Sequence, residues 1–131
     1  TKSQLAISGA SNGGLLVSAV VVQRPDLFAA ILCLVPLTDM IRYHRFGLAS
    51  IWKEEYGTSR DIESFASLLA YSPYHNFTKD VDYPSMLIVG SEHDARTDPI
   101  HALKFAAQAR YNDADHGQKQ PIFLQNSQFA D

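Results

Sequence analysis

The chain has 131 residues, of which 46% are hydrophobic and 19% charged, a balance typical of one folded domain and not of a disordered chain. Eleven lysines and arginines against fourteen aspartates and glutamates give a net charge of −3, which argues against nucleic acid or an anionic membrane as a partner. A single cysteine excludes a disulfide framework, and no cluster has metal-ligand spacing. We therefore expect one unit over 1–131 that needs no cofactor or metal and is soluble, in the cytoplasm or the periplasm.

Four short apolar runs in the chain have the composition of β-strands. They lie at 5–7, 29–35, 85–89 and 121–124. The two central runs are continuous rather than alternating, as expected for strands that are covered on both faces of a parallel sheet. Cys33 lies inside the second run, so we expect a small buried hydrophobic residue there and not a nucleophile.

The segments between these runs have helical signals. Apolar residues recur at helical spacing after the glycine cluster until Pro25 ends the pattern. Thr58 and Asp61 are spaced as a capping box for a second helix. Its apolar stripe comprises Ile62, Phe65 and Leu69. Pro99 marks the start of a third helix. Its inward face is expected to comprise Ile100, Leu103 and Ala107. Alternating strands and helices predict an α/β fold with a parallel sheet and flanking helices, with residues 38–72 inserted over one sheet edge.

The segment Gly9-Ala10-Ser11-Asn12-Gly13 is a G-x-S-x-G motif between a predicted strand and a predicted helix. A nucleophilic serine needs this context, because the tight turn exposes its hydroxyl and small flanking residues let strand and helix approach. The backbone N–H of Asn12 then lies at a helix N-terminus, where it can stabilise a developing oxyanion. We therefore predict that Ser11 is a nucleophile. A glycine-rich turn with an incidental serine, or a phosphate-binding loop, stays open as an alternative.

A carboxylate that could orient a catalytic base follows the strand at 85–89. Asp94 lies in the loop after that strand, at the sheet edge where Ser11 also lies, and sites of open α/β sheets form at that edge. Glu92 and Asp98 compete for the same role. Asp94 could instead cap a turn or pair with a neighbouring arginine, and the residues alone leave both interpretations open.

With these motifs in place, the chain resembles the C-terminal part of the peptidase domain of the prolyl oligopeptidase family, serine peptidases with the α/β-hydrolase fold. The resemblance starts at the G-x-S-x-G segment and its continuation Gly14-Leu15-Leu16-Val17. Further matching segments follow in the same order along the chain. They are Gln23-Arg24-Pro25-Asp26-Leu27-Phe28, Asp39-Met40, Arg42-Tyr43-His44, Trp52, Glu55-Tyr56-Gly57, Tyr71-Ser72-Pro73, His75-Asn76 and His93-Asp94 with Arg96. Together the segments extend over nearly the whole chain.

The resemblance implies a catalytic role for three residues. Ser11 would be the nucleophile and Asp94 the carboxylate of the triad. The backbone N–H of Asn12 would supply half of the oxyanion hole. The fold implied is a partial α/β-hydrolase.

The resemblance also implies a substrate pocket. Trp52 would stack on the substrate proline at the S1 site, Tyr56 would line the same pocket, and Arg96 would bind a substrate carbonyl. Without the resemblance, Trp52 would be interpreted as a core or surface aromatic residue and Arg96 as part of a solvated ion pair. Thr97 stands where the family commonly has an apolar residue, so we expect a more polar wall of S1.

The histidine that completes the family's triad is not evident in this sequence. It is expected after the last strand, beyond Asp131, because His116 precedes the strand at 121–124 and is expected in an exposed loop. His93 is expected to point away from Asp94, and the other histidines lie in the insertion or on a helix. We therefore expect part of a peptidase domain, lacking the family's propeller, first strands and histidine segment, and nearly inactive alone.

Two classes of function remain. The first is a serine endopeptidase that cleaves short peptides after proline, with a general esterase or an exopeptidase as the alternative within the enzyme class. The second is a hydrolase-fold module without a base that acts as a scaffold or binding surface. Without the preceding strands, the first strand would have an unpaired edge, so a homo-oligomer or a partner fragment is expected there.

Overall fold

The computed structural model describes residues 1, 4–114 and 120–128, which contain one four-stranded parallel sheet. The strands are β1 (Ala6–Ala10), β2 (Ala30–Leu34), β3 (Ser85–Ser91) and β4 (Ile122–Ser127). They lie side by side in chain order, with Ala10, Leu34 and Val89 in register. The four predicted strands and the α/β class are confirmed. Because all strands run the same way, their carboxyl ends form a single edge of the sheet.

Helices connect the strands. They are α1 (Asn12–Gln23), α2 (Lys53–Tyr56), α3 (Ile62–Tyr71) and α4 (Ile100–Ala114). Short 3₁₀ turns complete the connections at Pro25–Leu27, Tyr43–Arg45, Ala49–Trp52 and Pro73–His75. The predicted insertion lies between β2 and β3, and it is built largely from these short turns. Among the described residues, no helix is long and apolar enough to cross a membrane.

The start and the buried face of α3 differ from the prediction. Asp61 is the N-cap, since its carboxylate accepts a hydrogen bond from the Ser64 amide at 2.8 Å, and Thr58 is not the cap. Leu68 is fully buried, whereas Ile62 is 86% exposed. Phe65 and Leu69 are exposed as well. The predicted stripe is therefore wrong: the helix buries only one row of side chains against the insertion, and the sequence contains no sign of which row.

The buried face of α4 also differs from the prediction. The residues that face the sheet are Ala102, Phe105, Ala106 and Ala109, while Leu103 and Ala107 are exposed and Ile100 is only half-buried. The helix is therefore rotated relative to the expected face. Three small alanines let the helix axis come close to the sheet, and Phe105 fills the space that remains.

Two hydrophobic clusters hold the fold together. The sheet cluster lies between α1, α4 and the sheet. It includes Cys33, which is fully buried as predicted and whose thiol pKa burial raises to about 12. The insertion cluster joins the start of α1 to the insertion. Its buried members are Leu15, Leu37, Met40, Tyr43, Ala49 and Leu68. This cluster fixes the insertion beside the turn that carries Ser11.

Candidate active site

Ser11 occupies a strained turn between β1 and α1. Its φ of 54° lies in the left-handed region, which costs a residue other than glycine about 1–3 kcal/mol. The Ser11 amide donates to the Leu34 carbonyl and its own carbonyl accepts from the Leu15 amide, each at 3.0 Å, so β2 and α1 both hold the turn. Within the described ranges the Ser11 hydroxyl makes no hydrogen bond, not even a cap to its helix. This is the geometry of a nucleophile elbow.

Gly9 and Gly14 permit the close packing around Ser11. A Cβ at Gly9 would lie 2.1 Å from the Gly13 carbonyl oxygen, and one at Gly14 would lie 2.9 Å from Cα of Pro36. A Cβ at Gly13 would meet no described atom within 4 Å. The first glycine of the motif is therefore needed sterically, as expected. The second glycine of the motif, Gly13, is not needed sterically, and its neighbour Gly14 makes the close contact instead.

These two glycines form a matched pair for mutation. Gly9→Ala should destabilise the fold by about 1–3 kcal/mol, because strand and helix must separate to admit the methyl group. Gly13→Ala should be neutral or stabilising by up to about 1 kcal/mol, since alanine favours a helix and the space is open. Chemical unfolding of the two full-length variants beside wild type measures both effects. Equal unfolding midpoints would contradict the steric argument.

The Asp94 carboxylate is held by three hydrogen bonds from its own loop. Oδ1 accepts from the amides of Arg96 at 2.8 Å and Thr97 at 2.9 Å, and Oδ2 accepts from the Thr97 hydroxyl at 2.8 Å. Burial alone would raise the pKa of Asp94, but the hydrogen bonds from Thr97 and Arg96 and the charge of Arg96 hold that pKa below its usual value. The carboxylate is therefore ionised at neutral pH.

The two other candidates for the orienting carboxylate, Glu92 and Asp98, make different contacts. Glu92 is exposed and accepts from the Asn126 side-chain amide at 3.2 Å, and Asp98 accepts from the Ile100 amide at 2.9 Å at the start of α4. Asp94 alone of the three lines a cleft of about 570 Å³ at the carboxyl edge of the sheet. The cleft is lined by Val35, Val89, Gly90, Ser91, His93, Asp94, Ala95, Arg96, Gln125 and Ser127. Position thus favours Asp94 as the orienting carboxylate.

Val35 is a second strained residue at this edge, and the sequence did not reveal it. Its φ is 38°, a genuine outlier for a β-branched side chain. Its amide donates to the Val89 carbonyl at 2.7 Å, so the chain leaves β2 while still bound to β3. Ser11 and Val35 therefore place strained backbone at the ends of two neighbouring strands, which is typical of functional sites.

Trp52 and Tyr56 lie in the insertion, and Tyr56 reaches the turn of Ser11. Both are half-buried and pack against the insertion cluster. The Tyr56 hydroxyl donates to the side-chain oxygen of Asn12 at 2.8 Å, and its ring lies edge-on to Tyr43 at 5.5 Å. Burial and the Glu55 carboxylate raise the pKa of Tyr56 to about 12, so the phenol remains a donor. The predicted pocket residue therefore touches the residue after Ser11, a contact that the sequence did not predict.

The insertion also contacts the loop of Asp94. The Leu48 amide donates to the Ala95 carbonyl at 3.0 Å. Gly47 has a φ of 49°, and a Cβ there would lie 2.7 Å from the same oxygen, so only glycine permits this approach. Arg96 is exposed in the cleft, and its guanidinium makes no hydrogen bond to any described residue. It remains available to a ligand.

Asp39 forms a buried ionic cluster that was not predicted from the sequence. The carboxylate is fully buried, contacts the Lys104 ammonium and lies 2.9 Å from the Arg42 guanidinium and 3.8 Å from Nε2 of His75. Burial would raise the pKa of Asp39, but the contact with Lys104 and the charges of its neighbours hold it below its usual value. The cluster ties the start of the insertion to α4. The signal in the sequence that could have indicated this cluster is an aspartate among apolar residues.

No described histidine forms a hydrogen bond with Ser11 or Asp94. His93 is exposed and lines the cleft. His101 is buried, and its Nδ1 accepts hydrogen bonds from two backbone amides. Burial lowers the pKa of this histidine to about 4. His44 and His75 lie in the insertion, and His116 lies outside the described residues. Within the described ranges no group of three His, Cys, Asp or Glu side chains could hold a metal ion.

Comparisons with known proteins give this geometry a context. The profile of the family described as "Prolyl oligopeptidase family" matches residues 1–124. The prolyl endopeptidase of Dictyostelium discoideum is 36% identical over 99% of this chain and 19% of its own length. That of Elizabethkingia miricola is 40% identical over 95% of this chain and 17% of its own.

Solved structures agree with the sequence matches. One from a study of two prolyl endopeptidases superposes with a TM-score of 0.91 at 47% identity and covers 96% of this chain and 18% of that one. A post-proline cleaving enzyme from Rickettsia typhi gives 0.90 at 36% identity and covers 97% and 18%. The chain thus spans less than a fifth of these relatives. On its sequence and its fold, the chain belongs to the prolyl oligopeptidase family.

Proposed function

We propose that residues 1–131 are part of the peptidase domain of a serine endopeptidase that cleaves peptides on the carboxyl side of proline. The observation that carries the proposal is the strained Ser11 turn, with an uncommitted hydroxyl, at the same sheet edge as the Asp94 cleft. Relatives named prolyl endopeptidases support the peptide substrate. An incidental serine would not account for the strain at this position.

The proposed reaction begins with attack of Ser11 Oγ on the carbonyl carbon of the substrate proline. The hydroxyl proton passes to a histidine that we place in a segment beyond Asp131, and Asp94 orients that imidazole. The Asn12 N–H donates to the oxyanion that forms. The histidine then protonates the leaving amine, the peptide bond breaks, and a water molecule hydrolyses the acyl-enzyme in the same way.

The substrate proline would occupy a pocket formed by Trp52 and Tyr56. A flat, half-buried indole suits the rigid pyrrolidine ring, which buries its apolar face by stacking. The exposed guanidinium of Arg96, which lines the cleft beside Asp94, would donate to a substrate carbonyl. These assignments explain why the insertion is fixed to both catalytic loops.

The pocket can be tested with neighbouring residues of the insertion. Trp52→Ala in the full-length enzyme should lower kcat/KM about 10- to 100-fold for a peptide with proline before the scissile bond, because the stacking surface is lost. The loss should be smaller for the same peptide with alanine there. Ile51→Ala is the control, since that side chain is 69% exposed and should change either value less than about twofold. Equal losses on both peptides would argue against a proline pocket at Trp52.

We also propose that further polypeptide covers the free edge of β1. Among the described residues β1 is an edge strand, and an apolar groove runs beside it. The groove is lined by Ala6, Ile7, Ser8, Leu16, Val17, Val20 and Phe28. Leu5 and Leu16 are 47% and 64% exposed. Residues 1–131 produced alone should therefore self-associate at micromolar concentration, and light scattering that reports only the monomer mass would contradict this.

A further inference from the structure

Thr97 donates hydrogen bonds to both oxygens of the Asp94 carboxylate. Its amide donates to Oδ1 at 2.9 Å and its hydroxyl donates to Oδ2 at 2.8 Å. The residue is 4% exposed, so the donor side of these contacts is shielded from water. One buried side chain therefore fixes the rotation of the carboxylate about its terminal bond, which the two backbone amides on Oδ1 alone would not do.

The resemblance gives this position another role. The resemblance predicted that Thr97 would make the wall of S1 more polar. Thr97 is absent from the lining of the cleft that contains its neighbours 93–96, and its hydroxyl is directed to Asp94. The hydroxyl therefore serves the carboxylate, and the more polar wall of S1 stays a prediction.

We propose that Thr97 is a positioning residue. Its hydroxyl orients the Asp94 carboxylate toward the catalytic histidine and stabilises the negative charge of that carboxylate. This inference rests on the proposed function, since it needs a histidine that Asp94 serves. The hydroxyl donor occupies one lone pair of Oδ2 and leaves the other for the imidazole N–H. Because the donor also stabilises the anion, it weakens the attraction between Asp94 and a protonated histidine.

Few charged groups other than the Thr97 donor influence the charge of Asp94. Of the described ionisable residues, only the Arg96 guanidinium adds a charge that acts on Asp94. His93 shares the cleft, and Asp98 caps α4 beyond the loop. The insertion contacts this loop through uncharged backbone groups of Gly47 and Leu48. Removal of the Thr97 hydroxyl should therefore act on the pH profile through Asp94.

The experiment compares Thr97→Val with Thr97→Ser in the full-length enzyme. Valine has nearly the same shape without the donor, and serine restores the donor. Thr97→Val should lower the plateau of kcat/KM about three- to tenfold and shift the acid limb of its pH profile upward by about 0.3–1 pH unit. Thr97→Ser should restore both values to near those of wild type.

Other outcomes would overturn the inference. An unchanged acid limb in Thr97→Val, or a Thr97→Ser variant as damaged as Thr97→Val, would show that the hydroxyl does not act on Asp94. A changed preference between proline and alanine before the scissile bond, with an unchanged pH profile, would return Thr97 to the wall of S1. Failure of the proposed function is recognised separately, because the wild-type enzyme would then not cleave after proline.

Discussion

Ser11→Ala is expected to lower the kcat of the full-length enzyme about 10⁴- to 10⁶-fold, with a much smaller effect on KM. The variant removes the oxygen that forms the acyl-enzyme, while the elbow, the Asn12 amide and the substrate pocket remain. The residual rate would come from the oxyanion hole and from substrate binding. Steady-state kinetics on a proline-containing peptide, with active-site titration to exclude wild-type contamination, measures the loss.

The control for this change is Ser67→Ala. Ser67 lies on the exposed face of α3 and should retain wild-type kinetics. Full activity in Ser11→Ala would assign the nucleophile to another residue. A wild-type protein without any turnover would favour the alternative class, a hydrolase-fold scaffold.

Asp94→Asn is expected to lower kcat about 10³- to 10⁴-fold. An asparagine can present its amide N–H₂ to the imidazole instead of an acceptor, which selects the wrong tautomer of the histidine. It also loses the charge that stabilises the imidazolium. The matched controls are Glu92→Gln and Asp98→Asn, whose carboxylates contact Asn126 and the start of α4. A larger loss in either control would move the triad carboxylate to that residue.

The pH dependence of stability provides a second readout for Asp94. The folded pKa of this carboxyl lies below its usual value of 3.8, so its contribution to stability is present above that value. The contribution is lost as the pH falls through the lowered pKa, and Asp94→Asn should remove this part of the acid transition. Acid unfolding of wild type and variant measures it. At neutral pH Asp94 stays ionised, so an activity limb near pH 6–7 would belong to the histidine.

The strands were predictable because buried parallel strands leave continuous apolar runs between turn residues. The runs at 29–35 and 85–89 became β2 and β3 with little change in their bounds. The turn at Ser11 was predictable for a similar local reason, since Gly9 and Ser11 lie two residues apart in the sequence. The strands and the turn were therefore predicted from residues close together in the sequence.

The helix faces were not predictable in the same way. In α4 both Leu103 and Phe105 are apolar, and periodicity alone favoured the row that contains Leu103. The row with Phe105 and three alanines is buried because it lets the helix approach the sheet most closely. In α3 the choice of Leu68 depends on the shape of the insertion, which is itself a set of irregular turns.

Side-chain pairs distant in sequence were also beyond prediction. The Tyr56 hydroxyl reaches Asn12, and Asp39 meets Lys104, only because the insertion folds back on α1 and α4. Thr97 shows a different limit, since it lies only three residues from its partner Asp94 in one loop. The sequence does not show the direction of its hydroxyl, which the structure directs to Asp94.

The most direct test of the account is to treat the full-length protein with a fluorophosphonate and to locate the adduct by peptide mass spectrometry. The account predicts one stoichiometric adduct on the peptide that contains Ser11, with none in Ser11→Ala. It also predicts that a peptide substrate with proline before the scissile bond slows the labelling by competition. An adduct on another residue, or no adduct in protein that cleaves after proline, would contradict the assignment of Ser11 as the nucleophile.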